Sequence, residues 1–279
     1  MTALRLLILG AHPDDAEFTA GGVASIYARA GHVVKMVSVT CGDAGHHELS
    51  GAVLASRRRV EAAASAATIG ATSAVWEHPD ARLLPTLDLR WQIIREIRTF
   101  KPDLLLTHRT NDYHPDHRAV GQAVQDASYL VTVPTVVADV PILKRDPVVA
   151  FLPDRFTRPN PLRGDVLLDI SSEIERVIDM LACHESQVFE WLPFNRGTLE
   201  TMPREPAARR AWLRDWVTAD IRPRADRYRN ELVAAYGTER GMAIELCEMF
   251  EISEYASPLD AAGRARLFGW IDHGYQPQR

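Results

Sequence analysis

Leu4 to Leu9 is a short, nearly continuous apolar run closed by Gly10, and it constrains the architecture more than any other stretch of the chain. A strand without polar alternation is buried on both faces, which is the situation of a parallel sheet covered by helices. The following residues keep supplying the parts of such a sheet. A helix-like segment runs from Glu17 through Gly21-Gly22-Val23-Ala24-Ser25-Ile26-Tyr27, Gly31 stops it, and Val33 to Thr40 is a second, β-branched strand. Ser56 to Ile69, rich in Ala and Arg, reads as a helix ended by Gly70, with a third strand at Ala74-Val75-Trp76. Leu89, Ile93, Ile94 and Ile97 give Leu87 to Phe100 helical spacing, and Asp103 to Thr107 supplies a fourth strand after Pro102. Alternation of this kind specifies an α/β fold: a Rossmann-like, doubly wound, mostly parallel sheet with helices on both faces.

With 279 residues, the chain is expected to form a single domain, with a core over about 1–190 and a helical and strand extension over about 191–279. A net charge of -5 argues against a nucleic-acid partner, which would require clustered positive potential. Cys41, Cys183 and Cys247 lie far apart with no CxxC pair, so neither disulfides nor a thiolate metal site is expected. The first apolar run is too short for a signal segment, and no stretch approaches membrane-spanning length, which makes a cytoplasmic location the default expectation.

The pattern weakens after residue 130. Val148 to Phe151 and Val166 to Ile170 read as strands, Ser172 opens a helix through Leu181, and Pro134 to Pro161 reads as largely irregular. Arg204 to Arg229 carries eight Arg against four acidic residues, with Trp212 and Trp216 one helical turn apart. It reads as a solvated helical face with two packed tryptophans, an anionic ligand being the lesser alternative.

Two clusters carry the chemistry. Ala11-His12-Pro13-Asp14-Asp15 follows the first strand, and His114-Pro115-Asp116-His117 follows the fourth. Together they hold three imidazoles and three carboxylates, enough to ligate a divalent metal with proton-transfer groups to spare. In the Rossmann strand order, strand 1 lies beside strand 4 and ligands bind at the carboxyl ends where the order reverses. Right-handed crossovers would then bring the clusters to opposite lips of one crevice.

The clusters, with Lys101-Pro102-Asp103 and Thr107-His108 before the second, resemble the PIG-L/LmbE-like family of zinc-dependent N-deacetylases, which act on N-acetylglucosaminyl and related conjugates. Softer elements agree in order: Thr40-Cys41-Gly42-Asp43-Ala44-Gly45, Arg58 with Glu61, Pro79-Asp80, His184-Glu185-Ser186-Gln187 and Glu248-Met249-Phe250. The resemblance implies His12, Asp15 and His117 as ligands of Zn²⁺, with Fe²⁺ an alternative for the same donor set. It implies Asp14 as general base, His114 as the group that stabilises or protonates the reacting amide, and Asp116 as the residue that orients an imidazole. It also implies a small-molecule N-acylated amino-sugar substrate and a homo-oligomer. Ala16-Glu17-Phe18-Thr19 is bulkier than the family's usual turn and His46-His47 is unusual, which leaves the substrate open. Such a ligand set would keep a positive charge and open positions at the ion, so that its water ionises near pH ~7.

Other residues admit blander readings. Asp14 or Asp15 could cap a helix, Arg58 is either on a solvated face or against a substrate hydroxyl, and Asp80 either binds sugar or caps a segment. His184 is expected to bond local backbone, His46 and His47 to be exposed loop residues, and Cys41 to be a small packed residue. A nucleotide-binding Rossmann protein is a competing class, but the first turn lacks G-x-G-x-x-G and puts two carboxylates where a pyrophosphate would sit. A catalytically silent sugar-binding protein is a third.

Overall fold

A computed structural model describes residues 2–271. Its sheet has seven strands in the order β3-β2-β1-β4-β5-β7-β6: β1 (Arg5–Gly10), β2 (Val33–Thr40), β3 (Thr72–His78), β4 (Leu104–Thr107), β5 (Val148–Phe151), β6 (Val166–Asp169) and β7 (Cys247–Ile252). The first five run parallel, and β7 is antiparallel to both β5 and β6. The doubly wound half is therefore as the alternation predicts, while the far edge is mixed. The late segment contributes β7, a strand seated inside the sheet.

β1 shows why its sequence is apolar throughout. Leu6 and Ile8 pack on one side of the sheet, Leu7 and Leu9 on the other, and all four are fully buried. Removing each from water contributes roughly 1.5–3 kcal/mol. Helices α1 (Asp15–Arg29), α2 (Gly51–Thr68) and α5 (Ile174–Ala182) lie against each other on one side, and α3 (Leu87–Phe100) contacts α4 (Pro115–Ala127) on the other. A sixth, α6 (Pro206–Arg227), packs on α5 and β7.

Helix α3 has the expected limits for local reasons. Thr86 Oγ1 accepts the Leu89 N–H at 3.3 Å, and Lys101 takes a left-handed conformation, φ +55°, donating its N–H to Ile97. By contrast α2 begins five residues before Ser56, because Gly51 at φ +60° opens the helix instead of belonging to a loop. Helix α1 breaks at Ala20 (φ -143°), and the Glu248 carboxylate on β7 accepts the freed N–H groups of Gly22 and Val23 at 2.7 and 2.8 Å. Burial pushes the Glu248 acid up to about 7.

The irregular stretch after α4 is organised from below. Arg98 on α3 is buried and donates to the carbonyls of Leu130, Val131, Val133, Val136, Val137 and Val140. That loop thus condenses around a guanidinium with backbone acceptors alone.

At Gly121 on α4 a Cβ would lie 2.5 Å from the backbone oxygen of His108, so the helix approaches the β4 loop as closely as a glycine permits. Gly121→Ala is expected to cost about 1–3 kcal/mol, because backbone must give way. A chemical denaturation midpoint unchanged from that of the parent protein would contradict this tight approach.

Candidate metal centre

β1 and β4 pair in register, Leu9 opposite Thr107, so the loops that leave their carboxyl ends face each other. The two clusters meet there. His117 Nε2 lies 3.2 Å from His12 Nδ1 and 3.4 Å from Asp15 Oδ1, and His12 Nδ1 lies 3.5 Å from Asp15 Oδ2. Ligands around a tetrahedral ion with bonds of roughly 2.0–2.1 Å stand about 3.3 Å apart, so the spacing fits such an ion.

The tautomers agree with it. His12 Nε2 is 3.2 Å from Asp116 Oδ2, and His117 Nδ1 is 3.1 Å from Asp112 Oδ1. Asp116 takes the proton-bearing nitrogen of His12, and Asp112 stands close enough to His117 Nδ1 to pair with it, which leaves His12 Nδ1, His117 Nε2 and the Asp15 carboxylate facing one point. That arrangement repels itself unless positive charge sits at its centre. Proton affinity follows the same demand: burial works against charge on both rings, yet Asp116 and Asp15 raise His12 to about 9, and Asp15 and Asp112 raise His117 to about 10. Asp15 is held well below its ordinary range by His117 and His108 despite its burial.

Local structure aims these groups. A Cβ on Gly10 would stand 2.8 Å from Asp15 Cβ, so only glycine lets the strand end fold this closely over the carboxylate. Asp14 occupies the N-cap position of α1 without making a capping bond, at φ +137° and ψ -20°, a conformation that costs a non-glycine residue of order 1–3 kcal/mol. Its Oδ2 lies 3.4 Å from Arg58 Nη2, and burial raises its acid to about 6 against the pull of Arg58. His114 caps α4, its Nδ1 accepting the Asp116 N–H at 3.2 Å, so the neutral ring bears its proton on Nε2. Burial, His12 and His117 all lower the His114 pKa, and Asp116 stands 4.0 Å away with its oxygens committed to His12, Ala81 and Leu83. The ring is thus placed as a neutral Nε2–H donor.

Arg58 and Asp80 lie beneath this centre. Arg58 is 2% exposed, which removes the solvated-face reading, and donates to the Pro13 carbonyl at 2.6 Å. Asp80 accepts the N–H groups of Gly42 and Ala44 at 2.9 and 3.4 Å. Both spend polar atoms on the protein, holding the first motif and the 42–44 loop. His184 does not turn to local backbone; it is buried 2.9 Å from Glu17, which also accepts the Ser65 hydroxyl. His46 and His47 are not exposed loop residues either. His46 bonds Glu190 at 2.8 Å, and His47 stacks on Phe194 with 4.2 Å between ring centres. Cys41 is packed, its thiol pushed up by burial and by Asp43 and Asp80.

Two residues at the centre escaped the sequence reading of roles. Asp112 orients His117, and His108 stacks on the same ring at 3.9 Å while its Nε2 accepts the Ala11 N–H. His108 was legible only as part of Thr107-His108, and Asp112 had no motif beyond its place two residues before His114.

Residues 7–128, which contain both clusters, match the family model described as PIG-L, GlcNAc-PI de-N-acetylase. Over that stretch the chain is similar to the PIG-L family. The 4-oxalmesaconate hydratase of Pseudomonas putida is 25% identical over 202 residues, 70% of this chain and 78% of that protein. The 1D-myo-inositol 2-acetamido-2-deoxy-alpha-D-glucopyranoside deacetylase of Nakamurella multipartita is 33% identical over 171 residues, 48% of this chain and 58% of that protein. Among solved structures, the 4-carboxy-2-hydroxymuconate hydratase of the P. putida strain KT2440 superposes with a TM-score of 0.71 at 19% identity, covering 92% of this chain and 99% of the other. The chain is thus similar to proteins named for two different reactions. Among the described residues no helix is long and apolar enough to cross a membrane.

Proposed function

We propose that the protein is a metal-dependent hydrolase that removes an N-acetyl or other N-acyl group from an amino sugar or a sugar-containing metabolite. The observation that carries this reading is the convergence of His12 Nδ1, His117 Nε2 and the Asp15 carboxylate on one point, with Asp14 and His114 beside them. Those three residues would hold the ion, Zn²⁺ or Fe²⁺ by donor type. Once bound, the ion supplies Lewis acidity toward the amide oxygen and acidity to a coordinated water. Asp14, ionised at neutral pH, would accept the proton from the attacking water and return it to the amine nitrogen as the C–N bond breaks. His114 donates a hydrogen bond from Nε2 to the carbonyl oxygen as negative charge gathers there. Asp116 and Asp112 keep the two ligand rings in the ligating tautomer, and Arg58 fixes Asp14.

A second reading is hydration of a carbon–carbon double bond, favoured by the hydratase relative, which aligns over more of this chain than the deacetylase does. The same base and ion would deliver water to either electrophile. A panel of N-acetylated glycosides, thiol-sugar precursors and antibiotic intermediates separates the two when run beside unsaturated di- and tricarboxylic acids. The expected result is a new primary amine with one equivalent of acetate or other acid. Loss of conjugated-alkene absorbance with no amine released would transfer the protein to the hydratases.

A further inference from the structure

A cavity of about 420 Å³ opens beside the centre, with Asp15, His108, Asp112 and His117 on one wall. Its opposite side is built by α6 and by residues before it. Phe18, Phe156, Leu192 and Trp216 give it an apolar surface, and Arg155, Arg196 and Arg224 add three guanidinium groups. The acids on its lining are already engaged. Asp154 takes a two-pronged contact from Arg109 at 2.6 and 2.8 Å, and Asp220 pairs with Arg155. Asp15 and Asp112 serve the histidines.

Two of the arginines keep donors free. Arg224 Nη1 is buried without a hydrogen-bond partner, and the ion pair of Nη2 with Asp220 is a long one, 3.7 Å, to a carboxylate that Arg155 already engages. Arg196 lies over the Trp216 ring at 4.2 Å and makes no ion pair among the described residues. Burial lowers the pKa of both groups, and at Arg224, the more buried of the two, that is the signature of a cation stripped of water without full compensation. A desolvated guanidinium lacking a partner is costly in a folded chain, and the fork geometry of arginine matches a carboxylate or phosphate.

We propose that this cavity is the substrate-recognition pocket and that Arg196 and Arg224 bind an anionic group, carboxylate or phosphate, on the part of the substrate remote from the reacting bond. The inference rests on the proposed reaction only for which wall holds the chemistry. It departs from the solvated-face reading of 204–229, because Arg224 turns toward the cavity. Phe18 belongs to the bulky turn of the first motif and packs at a tilt against Trp216 with 5.9 Å between ring centres, so the unusual turn forms part of the same pocket.

Calorimetric titration of the metal-loaded protein with phenylacetate, phenyl phosphate and the neutral phenylacetamide tests it without turnover. At least one anion is expected to bind tenfold or more tightly than the amide. Arg196→Met and Arg224→Met should each weaken that anion about tenfold or more while leaving the amide unchanged, and Arg224→Lys should recover part of the loss. The better of the two anions identifies the group. Arg196 is exposed, so Arg196→Met tests the pocket even where Arg224→Met disturbs folding. Equal anion affinity in the parent and both Met variants would place the anion on the metal and overturn the proposal, as would an amide that binds as well. Anion binding that depends on these arginines in a protein that deacetylates nothing would leave the pocket standing and remove the hydrolase reading.

Discussion

Asp14→Asn is expected to keep its metal and to lose turnover by roughly 10²–10⁴-fold, the usual contribution of a positioned general base. Asn keeps the shape, still offers Arg58 an acceptor, and belongs to the few side chains that tolerate positive φ, so the motif need not rearrange. What disappears is the proton acceptor. Burial raises the acid of the metal-free protein to about 6, with Arg58 opposing, and a bound cation lowers it, so the parent's kcat/KM should fall on the acid side at or below pH 6, where Asp14 becomes protonated. Residual activity of the Asn variant should lack that limb. The folded acid is raised above 3.8, so its ionised form is a cost to folding at neutral pH, and the variant should melt no lower than the parent at pH 7 to 8. Metal content by elemental analysis, a pH–rate series and a melting curve check the three parts. Turnover kept within a few fold by the metal-loaded variant would remove Asp14 from its role.

The sequence reveals what local pattern and topology control. Apolar runs at Leu4 to Leu9 and Leu104 to Leu106, and the rule that parallel strands cross over right-handedly, are enough to bring His12 and His117 together. What it conceals depends on contacts between residues remote along the chain. His46 and His47 look like loop polar residues until Glu190 and Phe194 arrive from across the fold, and His184 looks like a helix-end residue until Glu17 is placed beneath it. Arg58 and Arg98 are buried cations, a state that sequence statistics assign to few arginines. Apart from the Phe194 ring on His47, the partner in each case is a carbonyl or carboxylate from a distant segment. The softer motif elements gain a physical meaning only together: Glu61 accepts the Ser186 N–H and hydroxyl, Gln187 donates to the Gly45 carbonyl, and Asp80 holds Gly42, so separate short signals become one support under the centre.

Removing the ion should abolish turnover, by 10³-fold or more, because the electrophile and the acidified water depend on the same positive charge. The consequence for stability carries a distinct pH signature. In the metal-free protein, His12 and His117 have folded pKa values of about 9 and about 10 against an ordinary 6.5. Groups raised in this way lend their full stabilisation below pH 6.5 and lose it as pH climbs through 9 and 10. Protons therefore stand in for the metal at low pH and leave at high pH, when two lone pairs and a carboxylate face one another unshielded. A bound divalent ion replaces those protons, and its affinity rises as they depart. The melting temperature gained on adding Zn²⁺ or Fe²⁺ to dipicolinate-treated protein should accordingly grow between pH 6.5 and 9, while activity returns at one ion per chain. A gain that is flat across this range, or full activity after exhaustive chelation, would mean that the cluster of His12, Asp15 and His117 is held together by protons alone.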